Sequence, residues 1–152
     1  MIEPAVELLL VEDDPGDAEL ILLFLAEEGV TKVRHVHDGE EALEFLRGPG
    51  AHAGRVAASL PRVIFLDLKL PKVSGLEVLL ALREDPRTAR IPVVMLTSSG
   101  LEQDVGTAYR LGANSFVQKP VDFERFRETI RLMARYWLGV NERPPGREYG
   151  GT

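Results

Sequence analysis

The 152-residue sequence contains no cysteine, which excludes disulfides, thiolate metal sites and thiol nucleophiles. No apolar stretch approaches the length of a membrane span. Residues Met1 to Val11 carry Glu3 and Glu7, lack a basic segment and hold only a short apolar run, which argues against a signal peptide. Positive charge is scarce: 18 Lys and Arg face 24 Asp and Glu, for a net charge of −6. Nucleic-acid binding needs a concentrated basic surface, so it is not expected. The Gly-Lys-Ser/Thr loop of nucleotide hydrolases is missing, as are internal repeats and low-complexity tracts. These absences leave a soluble cytoplasmic domain whose partners are proteins or small ions.

What is present is a rhythm. Short apolar runs at Val6–Val11, Val33–His37, Arg62–Asp67, Pro92–Thr97 and Ser115–Lys119 alternate with amphipathic stretches. Runs such as Val-Ile-Phe-Leu and Val-Val-Met-Leu are apolar on both faces, as strands of a covered parallel sheet are. Helix starts are marked between them. Asp14 precedes Pro15 as N-cap, and Ala18, Ile21, Leu22 and Leu25 form one face. Asp38 with Glu41, Ser74 with Glu77 and Ser99 with Glu102 have capping-box spacing. Asp122 caps the last helix, with Val121 and Phe126 spaced as a hydrophobic staple. Helices that start directly after strands imply β-α crossovers, and the expected architecture is a five-stranded α/β sandwich. The segment Gly48 to Leu60 reads as a long surface loop, and the Pro- and Gly-rich tail after Leu138 as a poorly ordered terminus.

Ligands of an open parallel α/β sheet bind beyond the carboxyl ends of its strands. The first strand ends in Glu12-Asp13, the third in Asp67, the fourth in Thr97 and the fifth in Lys119-Pro120; the second contributes nothing obvious. Two like charges about 4 Å apart cost roughly 4 kcal/mol at an effective dielectric of 20, so such carboxylates take up protons or a cation. Oxygen-only ligands suit a hard ion such as Mg²⁺. A lysine and a hydroxyl beside them suit phosphate oxygens, and a carboxylate is a competent nucleophile.

The runs LLLVEDDPGDAEL, VIFLDLKLPKVSGLEVL, IPVVMLTSS and GANSFVQKPVDFERF together resemble a bacterial response-regulator receiver domain, in order and spacing, over roughly Val6 to Leu138. The resemblance implies a doubly wound five-stranded parallel sheet of order 2-1-3-4-5 flanked by five helices. It implies a receiver (phosphoacceptor) domain at residues 1–138 and a tail at 139–152, with no output domain of its own. Asp67 would accept the phosphoryl group. Mg²⁺ would be held by Glu12, Asp13, Asp67 and the backbone carbonyl of Lys69, with Asp13 the direct acidic ligand. Thr97 and Lys119 would bind phosphoryl oxygens, Phe116 would be the aromatic switch partner of Thr97, and the Lys119–Pro120 bond would be cis. The donor would be a sensor histidine kinase, and the protein would catalyse only its own phosphorylation and dephosphorylation. The long loop and extended C-terminus further resemble short regulators that serve bacterial phytochrome kinases. Three departures stand out: Glu12 in place of a frequent aspartate, Phe116 in place of a frequent tyrosine, and Lys69 at the position where the family tunes dephosphorylation.

Plainer roles compete with these. Asp14 is read as a helix cap rather than a ligand, and Thr97 is by itself the weakest of the site residues, since Thr-Ser-Ser after a strand often serves as turn chemistry. His35 and His37 share a strand face but lack a third ligand, so they read as edge residues. Phe123, Phe126, Ile130, Met133 and Trp137 form a core stripe, which Tyr136 and Leu138 widen enough to suggest a homodimer contact through the helix 4–strand 5–helix 5 face. The alternatives are a degenerate receiver that only binds proteins, a flavin protein on the same topology and an aspartyl-phosphate phosphatase. Acids after the first strand would repel a flavin phosphate, and the phosphatase would have a second aspartate where Lys69 stands.

Overall fold

Strand and helix alternate from Leu8 onwards in the computed structural model, which describes residues 6–47 and 60–145. The elements are β1 (Leu8–Val11), α1 (Pro15–Glu27), β2 (Val33–Val36), α2 (Gly39–Arg47), β3 (Val63–Leu66), α3 (Gly75–Glu84), β4 (Val93–Thr97), α4 (Glu102–Arg110), β5 (Ser115–Gln118) and α5 (Phe123–Arg135). α5 continues into a π-helical turn, Tyr136–Val140. The strands are all parallel, in the order β2-β1-β3-β4-β5, as the resemblance implied. Of the expected surface loop Gly48–Leu60, all but Leu60 lies outside the described residues, as does the tail beyond Pro145. No helix among the described residues is long and apolar enough to cross a membrane.

The period-2 geometry of the strands sorts their residues onto two cores. Leu9, Val11, Ile64, Leu66, Val93 and Met95 face one side and pack with Val78, Leu79 and Leu82 of α3, Ala42 and Leu46 of α2 and Ala108 of α4. Leu8, Leu10, Val63, Phe65, Val94 and Leu96 face the other, against Ile21, Phe24 and Leu25 of α1 and Phe126, Ile130 and Met133 of α5. β1, β3 and β4 are buried along their whole length, whereas β2 and β5 at the sheet edges are mostly half-exposed. This explains why the three inner strands read as continuous apolar runs and the outer two do not.

The helix starts follow the sequence in part. Asp14 caps α1, Ser74 and Glu77 form a reciprocal capping box on α3, and the Asp122 carboxylate accepts from the Arg125 amide. At α2 the box is displaced by one residue: Glu41 donates its amide to Asp38, but its carboxylate accepts from the amide of His37. Ser99 and Glu102 form no box. Helix α4 begins after Leu101 without a side-chain cap, because the Ser99 hydroxyl donates instead to Asp104, 2.6 Å away. The staple at α5 is also absent, since Val121 is fully exposed; Phe24 packs edge-to-face on both Phe123 and Phe126 in its place. Leu138 does not widen an outward stripe but packs with Trp137 onto the α1–α5 core.

The Lys119–Pro120 bond is trans, contrary to expectation: the described residues contain no cis peptide. Trans is the intrinsically favoured isomer of an X-Pro bond. Here it accommodates both the Lys119 amide's bond to the Thr97 carbonyl and the Asp122 cap that follows.

The connection from β3 to α3 is fixed closely. The Gly75 amide donates to the Leu68 carbonyl, and a Cβ at Gly75 would lie 2.1 Å from the Asp67 carbonyl oxygen. Lys72 adopts a positive φ of 68° and places its ammonium 3.6 Å from Asp38 and 3.5 Å from Glu40. Gly75→Ala is therefore expected to lower unfolding stability by about 1–3 kcal/mol through steric displacement of the Asp67 backbone. Gly16→Ala, where a Cβ meets nothing within 4 Å, is expected to be neutral or slightly stabilising in the same urea titration.

Candidate functional site

Parallel register brings the candidate residues to one edge. Val11 pairs with Leu66 on the last rung of the β1–β3 ladder, so Glu12 and Asp67 both emerge one residue beyond it. The Asp67 amide continues the ladder to the Val11 carbonyl and the Glu12 amide to the Val36 carbonyl, while Lys119 extends β5 by donating to the Thr97 carbonyl. Backbone pairing thus fixes the origin of each side chain.

Glu12, Asp13 and Asp67 each offer a carboxylate oxygen within 4.8 Å of the others'. Glu12 and Asp67 are buried, at 1% and 7% exposure, and Asp13 is exposed at the rim. Lys119, also buried, reaches into this group: its Nζ is 2.7 Å from Glu12 Oε1, 3.1 Å from Asp67 Oδ2 and 2.8 Å from Asp17 Oδ2. The other Glu12 oxygen accepts from the Asp14 amide and Asp67 Oδ1 from the Lys69 amide. Thr97 is buried at the end of β4, but its hydroxyl accepts from the Ser99 amide at 3.4 Å and, among the described residues, is not bonded to Asp67. Phe116 is half-buried against the α3–α4 side of the sheet, and its amide donates to the Tyr109 hydroxyl of α4.

Two contributors were not anticipated. Asp17, in the first turn of α1, gives Lys119 its third carboxylate; an acid there otherwise reads as a complement to the helix dipole. His35 of β2 lies 2.9 Å through Nε2 from the Glu12 carbonyl, so that nitrogen carries the proton and steadies the acidic turn. The period-2 alternation placed His35 with His37, and their rings do lie 4.4 Å apart, but the bond to Glu12 depends on the β1–β2 register, which no local pattern reveals. Asp14 acts as the cap expected of it.

The charges interact strongly. Burial pushes the Glu12 carboxyl up to about 8, against the lowering effect of Lys119 and with a further rise from Asp67. Burial alone would lower the Lys119 ammonium, but Asp17, Glu12 and Asp67 outweigh it and raise its pKa. Because the folded protein holds a proton on Glu12 above its ordinary value of 4.5, its contribution to stability falls as pH rises from that value towards 8. Metal-free Glu12→Gln is accordingly expected to match wild type near pH 5 and to be more stable by roughly 1–3 kcal/mol near pH 8.5, read from urea midpoints.

Comparison with known proteins agrees with this geometry. The response regulator receiver domain family matches residues 8–131. The probable methanogenesis regulatory protein FilR2 of Methanothrix harundinacea is 41% identical over 138 residues, covering 90% of this chain and 86% of its own. Some curated relatives are longer, and the chain spans 54% and 48% of two of them. The solved structure of the phosphorylated cyanobacterial phytochrome response regulator RcpA is 37% identical, with a TM-score of 0.84 over 93% of this chain and 99% of its own. The Mn²⁺-bound form of response regulator Rcp1, a protein of Synechocystis, is 32% identical, with a TM-score of 0.80 over the same shares. Carboxylates at the ends of β1 and β3, a lysine at the end of β5 and these relationships lead to one conclusion: the chain belongs to the response regulator receiver domain family.

Proposed function

We propose that this receiver domain accepts a phosphoryl group on Asp67 in a Mg²⁺-dependent reaction, with a sensor histidine kinase as donor. The observation that carries this reading is the junction of Glu12, Asp13 and Asp67 within 4.8 Å beside the Lys119 ammonium. The donor set fits a hard divalent cation: oxygen only, two buried carboxylates and one at the solvent rim. Glu12, Asp13, Asp67 and the Lys69 carbonyl would hold Mg²⁺, which when bound neutralises charge shared by the carboxylate and phosphoryl oxygens.

The protein's own groups supply the rest. A carboxylate oxygen of Asp67 attacks phosphorus as the N–P bond of the donor phosphohistidine breaks, and the departing imidazole retains the bond's electron pair. Lys119 donates an N–H to a phosphoryl oxygen. The Thr97 hydroxyl oxygen accepts from the Ser99 amide and keeps its own O–H to donate in the same way, and a shift of that side chain toward the phosphoryl group would release the space that Phe116 would turn into. The Phe116 amide already ties β5 to the Tyr109 hydroxyl of α4, so repacking of the Phe116 ring beside that link would be felt at α4, a two-state element biased by a local charge event. Hydrolysis of the acyl phosphate resets the domain, so the protein catalyses only its own phosphorylation and dephosphorylation.

The likeness to a phytochrome response regulator supports a bacterial phytochrome kinase as the partner, in the cytoplasm where such a kinase presents its phosphohistidine. Leu132, Tyr136 and Val140 recur every fourth residue along the end of α5 and its π-helical turn and are all exposed. Leu101 and Tyr109 are exposed at α4. They support a homodimer through the α4–β5–α5 face.

Intact-mass spectrometry after incubation with acetyl phosphate tests the reading, and sedimentation of the same samples tests the dimer. One phosphoryl group is expected on wild type with Mg²⁺, and none after chelation or in Asp67→Asn. A modified Asp67→Asn would place the acceptor elsewhere, and a monomer in every sample would contradict the dimer.

A further inference from the structure

The Lys119 ammonium meets three carboxylates: it donates hydrogen bonds to Asp17 Oδ2 at 2.8 Å and Asp67 Oδ2 at 3.1 Å and pairs with Glu12 Oε1 at 2.7 Å. The three partners are not equivalent. Asp67 is the proposed acceptor, so the bond to it is the one that passes to a phosphoryl oxygen. Glu12 belongs to the carboxylate cluster that suits a cation, and its charge is shared once one is bound. Asp17 lies outside that cluster and is free to stay on Lys119 throughout.

The local sequence explains why Asp17 is available. It occupies the third position of α1, after the Asp14 cap and Pro15, where an acid commonly folds back onto the amide of the cap residue. Here that amide is already satisfied by Glu12 Oε2 at 3.1 Å. Asp17 instead extends across the edge of the sheet to a lysine 102 residues further along the chain. Lysine is a point charge on a flexible four-carbon stem, so its Nζ lies where its partners hold it.

We propose that Asp17 is a positioning residue for phosphoryl acceptance, holding the Lys119 ammonium beside Asp67 while Glu12 and Asp67 are engaged by metal and phosphoryl group. The inference rests on the phosphoacceptor reading of Asp67. Asp17 also offsets part of the positive charge of Lys119, which would otherwise oppose a cation at the same carboxylates.

The test compares Asp17→Ala, Asp17→Asn and Asp17→Glu with Glu19→Ala, an exposed site on the same helix with the same change of charge. With acetyl phosphate and fixed Mg²⁺, Asp17→Ala is expected to lower the saturated phosphorylation rate about ten-fold, as displacement of a positioned group does. The half-saturating donor concentration should change little, Asp17→Asn and Asp17→Glu should recover part of the rate, and Glu19→Ala should match wild type. A second readout needs neither metal nor donor. In metal-free urea unfolding, Asp17→Ala is expected to lower the midpoint of wild type but raise it in a Lys119→Met background, where Asp17 faces only like charges. Asp17→Ala phosphorylated as fast as Glu19→Ala, or midpoints shifted equally in both backgrounds, would overturn this inference alone. A wild type that takes no phosphoryl group would overturn the phosphoacceptor reading with it.

Discussion

Everything at the functional edge of this protein depends on one ammonium among four carboxylates. Glu12, Asp13, Asp17 and Asp67 converge on a small volume and Lys119 is the cation that reaches three of them. Isolated, such a cluster would drive the strand ends apart. The sheet tolerates it because two apolar layers hold β1, β3 and β4 from either side, and those layers supply far more free energy than the crowded charges cost. Burial first, and the neighbouring Asp67 after it, hold the Glu12 carboxyl above its ordinary range. On the proposed reading a cation and an anion would enter this site together: the first would relieve the carboxylates, and the second would give the lysine a further partner beside Asp67.

The surroundings hold that tension in place. Gly75 lets α3 begin directly against the Asp67 backbone, and His35 holds the Glu12 carbonyl from the edge strand. On the far side, Gln118 donates to the Ser98 carbonyl while Ser99 bonds Asp104. The segment between β4 and α4 is thereby secured by side-chain bonds rather than by burial, since Leu101 and Gly100 are exposed. Each such bond contributes only about 1 kcal/mol net, less than the buried packing that holds the strands. The Asp67 side is held instead by backbone contacts, through Gly75 and the Leu68 carbonyl.

The inner strands and the residues one step beyond them could be read from the sequence, because burial on both faces leaves unbroken apolar runs that end abruptly in charge. Glu12, Asp13, Asp67 and Lys119 were legible for that reason, and the structure brings all four together. Asp17 and His35 were not, because their partners are set by strand register and, for Asp17, by a contact between residues 102 apart in the chain. The capping signals erred where a competing acceptor lay nearby: Ser99 chose Asp104 over its expected partner, and Glu41 reached one residue further back to His37. Val121 failed as a staple because Phe24 already occupies the aromatic face of α5. The trans bond at Pro120 shows the same limit, since the isomer is decided by tertiary surroundings and the dipeptide itself is indifferent within about 1 kcal/mol.

The proposed function requires a covalent bond at Asp67, and reductive trapping identifies it most directly. Borohydride reduces an acyl phosphate to the alcohol, so an aspartyl phosphate becomes homoserine while free carboxylates are untouched. Peptide mapping of protein treated with a phosphodonor and then borohydride should find homoserine at position 67 and aspartate at positions 13 and 17. Homoserine at another aspartate, or none anywhere in protein that carries a phosphoryl group, would contradict the assignment of Asp67 as acceptor.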